Sequence, residues 1–235
     1  ARAEKTRDFV VSLIRDGNPE QSRGGAQTTA LDLIRNAAMR VDALTDAPDT
    51  QAQLQVAIGE GLIALGAAEE GRARLDAGTA QLRTLGEDAW PALADALQLS
   101  AKHDTASGRL IEARAAGQES LALYDRLDRR DLALGRIATL TTLAKNTQFQ
   151  GDFSASQTLY ERILAERREL LGPDDPRLAV DWNNLGATAI RRDRYADAEH
   201  AYRQASRLMA LDPQAPESRQ AWLQLGRASA LIGLG

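Results

Sequence analysis

Trp182-Asn183-Asn184-Leu185-Gly186 and Trp222-Leu223-Gln224-Leu225-Gly226 match position for position: a tryptophan, two residues, a leucine and a glycine. The small residue that closes each stretch recurs upstream at Ala144, Ala101 and Gly59, so five equivalent positions lie 40, 42, 43 and 42 residues apart. A fixed period in this range means a solenoid of stacked supersecondary units, each resting on its neighbours, in place of one closed core. Such surfaces bind far more often than they catalyse.

Each repeat reads as two helices. In the fourth, helix A is expected from about Pro176 to Arg192 and helix B from about Tyr195 to Leu211. Leu185, Ala189 and Ile190, then Ala198, Ala201, Tyr202 and Ala205, fall at the i, i+3, i+4 spacing of buried helical stripes. The turn between the two helices carries Gly66, Gly108 and Gly151 in the earlier repeats. Glycine there fits a left-handed residue ending helix A, and Asp193, which replaces it in the fourth repeat, tolerates that conformation better than most. Repeats are separated at Gly86-Glu87-Asp88, at Asp128 to Asp131, at Gly172-Pro173-Asp174-Asp175-Pro176 and at Asp212-Pro213-Gln214-Ala215-Pro216. Proline cannot continue a helix interior but suits the first turn of the next helix.

Composition agrees with this reading. The 235 residues are 43% hydrophobic but only 4% aromatic, a balance that suits close helix packing on Ala and Leu better than a β-sandwich. The net charge of −4 and the lack of a basic tract argue against nucleic acid as a partner. There is no cysteine, which excludes disulfides, thiolate metal sites and a cysteine nucleophile while leaving the redox compartment open. No apolar run reaches the ~20 residues of a membrane span, and no signal peptide is visible. The chain starts with Ala1 and stops at Gly235 inside a helical pattern, so a piece of a longer protein is expected.

The repeat resembles the tetratricopeptide repeat (TPR) family. The fourth repeat carries the resemblance best, with Trp182, Leu185 and Gly186, then Tyr195, Ala198, Tyr202 and Ala205, and Pro213 closing the unit. The third matches at Leu140, Leu143, Ala144, Phe153, Ser156 and Tyr160; the second is more degenerate, with Leu97, Ala101, Leu110, Ala113 and Gly117. The first keeps Ile58, Gly59, Ala68 and Gly71. A period near 42 is longer than the family's usual ~34 and is similar to the extended repeats of kinesin light chains and many bacterial signalling proteins. The resemblance implies an all-α, right-handed TPR-type α-solenoid of stacked helix hairpins. Residues 49–212 would form four repeats, and residues 213–235 the first helix of a further one.

Residues 1–48 do not fit the period. Ala3 to Arg15 reads as one amphipathic helix and Asp16 to Gln27 as a loop; Thr28 or Thr29 would cap a next helix carrying Leu31, Leu33, Ile34, Ala37, Ala38, Val41 and Leu44. One reading is a terminal helical cap over the first repeat. The other is a second resemblance. Arg7-Asp8-Phe9, Arg23-Gly24-Gly25 and Thr28-Thr29-Ala30-Leu31-Asp32-Leu33-Ile34, leading into long TPRs, look like the segment after the transmembrane helix in bacterial serine/threonine kinases of eukaryotic type. That resemblance implies a periplasmic TPR region of a membrane-anchored parent kinase acting in signal transduction.

Catalytic motifs are absent, and so are the kinase's own signatures, so the residues present are expected to be non-catalytic, with no cofactor and no metal. His103 and His200 are the two histidines, and neither has a second ligand at metal spacing. In TPR proteins helix A lines the concave surface. Carried over from Trp182, the groove positions fall on Asn183, Asn184 and Arg191 in the fourth repeat and on Thr141, Lys145 and Gln148 in the third. They fall on Gln98 and Lys102 in the second repeat, and on Arg227 in the fifth. Only three of the 29 basic residues are lysines, and Lys102 and Lys145 take the same groove position in adjacent repeats. Amides can hydrogen-bond a peptide backbone and lysine can hold a carboxylate, so a peptide with acidic groups or a free C-terminus is the expected ligand. The alternative is that these are solvated side chains with no ligand.

Trp182 and Trp222 are expected in the core, and Trp90, before Pro91, at a more exposed turn. Leu223, Leu225, Leu231 and Ile232 are expected to lie open on the last helix, where they would seek a neighbour, in one reading a second copy. Three functions stay open: an extracytoplasmic sensor module, a cytoplasmic adaptor using the same groove, and the helical scaffold of an enzyme.

Overall fold

The computed structural model describes residues 29–212, 214 and 216–235. Every regular element among them is helical, and the chain divides into two compact parts, Ala1–Ser100 and Ala101–Gly235. The helix expected over Ala3 to Arg15, the loop after it and the motif residues Arg7 to Thr28 lie outside the described residues.

The first part holds α1 (Ala30–Asp42), α2 (Pro48–Ala64), α3 (Ala68–Arg83) and most of α4 (Trp90–Ala106). Thr29 starts α1 with a reciprocal cap. Its hydroxyl oxygen accepts the Asp32 N–H at 3.2 Å and its own N–H donates to the Asp32 carboxylate at 3.0 Å. The cap and the Thr29 hydroxyl hold the Asp32 carboxyl below its usual range. Ala37, Ala38 and Val41 of α1 pack on Ile58 and Leu62 of α2. The α2–α3 hairpin closes backbone on backbone: a Cβ on Gly59 would lie 2.7 Å from the Gly71 carbonyl, and one on Gly71 would lie 2.5 Å from the Gly59 carbonyl.

The second part contains the end of α4, then α5 (Leu110–Leu127), α6 (Ala133–Phe149), α7 (Phe153–Leu171), α8 (Ala179–Ile190), α9 (Tyr195–Met209) and α10 (Glu217–Leu234). One continuous core runs through α6 to α10, with Leu140, Ala144, Tyr160, Ile163, Leu185, Tyr202, Leu208 and Leu223 among its members. Tyr202 is its hinge pin, since its ring is approached by Gly186 of α8 on one side and Gly226 of α10 on the other.

All four helix A stops have the predicted left-handed residue. Gly66, Gly108 and Gly151 have φ of +88°, +77° and +84°, and Asp193 has +57°. In each, the next residue donates its N–H to the carbonyl five positions back, Ala67 to Leu62, Arg109 to Asp104, Asp152 to Thr147 and Arg194 to Ala189. This is the Schellman closure, which satisfies otherwise orphaned carbonyls. The breaks between repeats differ in detail from the sequence expectation. Glu87–Ala89, Arg130–Leu132 and Pro176–Leu178 wind as 3-10 turns, so α8 begins at Ala179 and not at Pro176. Asp175 shapes the last of these by accepting the Arg177 N–H at 2.9 Å.

Two expectations at the chain's end are corrected. Trp182 is half-buried against the core, but Trp222 is 73% exposed. The reason is local: α9, the helix B of its own repeat, covers Trp182, with the His200 ring edge-on at 5.8 Å, whereas no helix follows α10 in the described residues. Leu223 is not open either; it turns inward and is 3% exposed, while Leu225, Leu231 and Ile232 do lie open.

Candidate functional site

Helices α6 and α8 of the second part bury one stripe against their own helix B and leave the opposite stripe half-buried to exposed. On α6 that outer stripe runs Leu134, Thr141, Lys145 and Phe149; on α8 it runs Val180, Asn183, Asn184, Ala187 and Arg191. The side chains are apolar at the start of each helix, hydroxyl or amide at the middle, and cationic or aromatic towards the end.

The two stripes are tied side by side. The Gln148 amide of α6 donates to the Thr188 hydroxyl of α8 at 2.6 Å, and that hydroxyl donates to the Asn184 carbonyl at 2.8 Å. Gln148, expected as a ligand contact, is therefore also a fastener between repeats. Thr141 turns its hydroxyl proton back to the Ile137 carbonyl at 2.8 Å, which leaves its oxygen as an acceptor. Lys145 is exposed and makes no ion pair among the described residues. Arg191 is exposed and lays its guanidinium 4.8 Å from the centre of the Phe153 ring, which fixes its direction. Lys145, Asn183, Asn184 and Arg191 thus share one surface with Thr141.

The other expected groove residues are Arg227, Lys102 and Gln98. Arg227 is half-buried and ion-paired to Glu199 of α9 at 3.2 Å; Glu199 also binds Arg203 at 3.1 Å. Lys102, in the second part of the chain, is exposed near the end of α4, and Gln98, in the first part, is half-buried one turn earlier.

Three apolar side chains on this surface escaped the sequence reading. Leu134, Phe149 and Val180 are each more than half exposed. The signal was present, since Leu134, Thr141, Lys145 and Phe149 follow helical spacing on the side away from the core stripe. Val180 and Asn183 also line a cleft of about 310 Å³ with Ala179, Met209, Ser218, Trp222 and Leu223. It combines apolar walls with the Asn183 amide and the Ser218 hydroxyl.

On the helix B side, a cleft of about 430 Å³ lies between α7 and α9 over Trp182 and Leu185, rimmed by Glu161, Arg168, Arg194, Asp197 and His200. A third, of about 710 Å³, surrounds Arg136, which bridges Asp125 and Glu166 at 2.7 Å each. Arg162 adds a 2.8 Å bond to Glu166, so this lattice of charges is largely self-neutralised. No group of three or more His, Asp or Glu among the described residues could hold a metal ion, and none of their helices is long and apolar enough to cross a membrane.

On the core-facing side of α8 lies a strongly perturbed carboxyl. Asp181 is buried and receives one Arg167 nitrogen at 2.8 and 2.9 Å on its two oxygens. Burial outweighs the guanidinium and raises the carboxyl to about 6. Burial, with Asp181 nearby, also pushes the Tyr160 hydroxyl up. These groups face the core and no cleft, so they are structural.

Residues 135–210 match the tetratricopeptide repeat family. Among solved structures, BtubC (BKLC) from P. vanneervenii is similar with a TM-score of 0.73 at 15% identity, over 88% of this chain and 85% of that one. A P. anserina protein described as a kinesin light chain with nearly identical TPR-like repeats is similar with a TM-score of 0.68 at 17% identity, over 89% of this chain and 97% of that one. The fold is thus that of TPR-like α-solenoids. None of the curated proteins compared with the chain matches it.

Proposed function

We propose, for a chain whose residues 135–210 are tetratricopeptide repeat, that it is a non-catalytic protein- or peptide-binding module whose binding surface is the outer stripe of α6 and α8. One observation carries this reading: Lys145, exposed and without an ion pair among the described residues, and the half-buried amides Asn183 and Asn184 lie on helices joined by the Gln148–Thr188 bond. Amides read the backbone of an extended peptide, the lysine reads a carboxylate, and Leu134, Phe149 and Val180 supply apolar contact. The ligand is an extended segment with an acidic side chain or a free C-terminus. The probe is a labelled acidic peptide, with its C-terminus free or amidated, titrated against the wild type and against Lys145→Glu with Arg191→Glu. The charge reversals should weaken binding at least tenfold with helicity unchanged; equal binding by the variant removes this surface.

The wider setting we infer is the extracytoplasmic sensor region of a transmembrane serine/threonine kinase. What supports it is the Arg7-Asp8-Phe9, Arg23-Gly24-Gly25 and Thr28-to-Ile34 pattern ahead of long repeats. Sequencing the gene upstream of Ala1 decides it. About 20 apolar residues preceded by kinase signatures support the sensor. A soluble domain or a start codon there supports a cytoplasmic adaptor instead.

A further inference from the structure

The outer stripe of α6 and α8 changes character along the helix axes. Leu134 and Lys145 are 11 residues apart on α6, and Val180 and Arg191, which caps α8, are also 11 apart. Eleven residues come close to three whole turns, so each pair stands on one face of its helix, about 16 Å apart along the axis. The two helices run in the same direction, because Gln148 at the end of α6 bonds Thr188 at the end of α8. Both apolar side chains therefore lie at one edge of the surface and both cations towards the other. Leu134 and Val180 are 59% and 51% exposed, and Lys145 and Arg191 are exposed as well. No carboxylate stands on either stripe between these ends.

A ligand lying across the helices would meet only one of these bands, whereas a ligand lying along them meets all. Between the bands, Thr141 and Asn183 are 42 residues apart, one repeat, and so stand level. The Thr141 oxygen can accept from a ligand N–H, since its own proton goes to the Ile137 carbonyl, and the Asn183 amide can pair with a second backbone group. At the apolar edge, Val180 borders the cleft of about 310 Å³ that has Ala179 and Met209 among its walls, which gives an anchoring side chain room beside it. An extended chain advances ~3.3 Å per residue, so 16 Å corresponds to about five residues. At the cationic edge the surface continues past Lys145. Phe149, 68% exposed, stands one turn further on, level with Arg191 one repeat later. A chain that ended at Lys145 would leave that turn uncovered, so the carboxylate belongs to a side chain within the segment.

We propose that this surface selects an extended segment with an apolar and an acidic side chain about five residues apart, the first seated at Leu134 and Val180 and the second held by Lys145 and Arg191. This rests on the outer stripe being the binding surface, and it makes Leu134 and Val180 the residues that set the spacing.

The test is a set of labelled peptides, amidated at the C-terminus, each with one leucine and one glutamate separated by about two, five or eight residues in an otherwise polar, uncharged chain. Both orders are made, and the tighter of the two is compared at each spacing by fluorescence anisotropy against the full chain. The middle spacing should bind several-fold tighter than the shorter and the longer. Leu134→Ser with Val180→Ser should bring it down to their level with helicity retained, since both side chains are exposed. Equal binding at all spacings, a preference that survives Leu134→Ser with Val180→Ser, or binding only when the C-terminus is free overturns the proposal. If Lys145→Glu with Arg191→Glu still weakens binding in those cases, the binding surface itself stands. Binding that is indifferent to the two charge reversals removes the surface and this proposal together.

Discussion

Gly186 is where the stacking of repeats is most exposed to a single added carbon. A Cβ there would lie 2.9, 3.0 and 3.1 Å from three carbons of the Tyr202 ring. The ring has little room to retreat, because a Cβ on Gly226 would also strike it from the far side and Tyr202 is 4% exposed. Gly186→Ala therefore sets two effects against each other. Helix propensity favours alanine by about 1 kcal/mol, and overpacking costs about 1–3 kcal/mol. With the ring held on both sides the upper half of that range applies, so the net expectation is a loss of about 1–2 kcal/mol. At roughly 2–4 °C per kcal/mol for a chain of this size, the melting point should fall by about 3–6 °C, as followed by far-ultraviolet circular dichroism. Making room should reverse the sign. In a Tyr202→Ala background the same glycine change should be neutral or stabilising, a coupling of about 1–3 kcal/mol in the double-mutant cycle. A Gly186→Ala protein that melts at or above the wild type, with no coupling to Tyr202, refutes the idea that this ring pins α8, α9 and α10 together.

Asp181 makes stability depend on pH in the direction opposite to most carboxylates. Its folded carboxyl stands at about 6 against an ordinary 3.8, so the folded state holds the proton more tightly and this group's contribution is fully present below pH ~4 and lost as pH rises to ~6. In urea titrations at pH 4 and 7, Asp181→Asn should gain on the wild type by on the order of 2–3 kcal/mol between the two pH values; a variant that loses ground as pH rises contradicts the desolvation argument. Thr29→Ala removes the hydroxyl arm of the α1 cap, leaving the backbone N–H that donates to Asp32, and should cost about 1 kcal/mol, read as faster amide exchange confined to Ala30–Asp42. Unchanged exchange there would mean that α1 is held by its packing on Ile58 and Leu62 alone.

Much of the architecture was readable in the order of residues, because it rests on short-range chemistry. Gly66, Gly108 and Gly151 announced left-handed helix ends, and even Asp193, the one substitution in that series, was read correctly from its tolerance of positive φ. Thr28 or Thr29 was expected to cap the next helix, and Thr29 does so, with Asp32 completing the cap. What escaped depended on which helix lies against which. Trp182 and Trp222 share the Trp-x-x-Leu-Gly context that marks the repeat, yet one is covered by α9 and the other is open, and that shared motif does not distinguish them. Arg227 was read as a groove cation because its position matches Lys145, but Glu199 on the preceding helix holds it. Gln148 was read as free to meet a ligand, while its amide serves Thr188 forty residues away. Such pairings are set by the stacking of neighbouring repeats, which periodicity reveals as a fact without giving its side-chain register.

The most direct measurement of the central claim is amide hydrogen exchange across the full chain, with and without a saturating acidic peptide bearing a free C-terminus. Binding by the outer stripe predicts added protection in α6 and α8, around Thr141 to Phe149 and Val180 to Arg191, and its loss with Lys145→Glu. Protection that appears instead on α7 and α9, around the Trp182 cleft, or that survives Lys145→Glu, would contradict it.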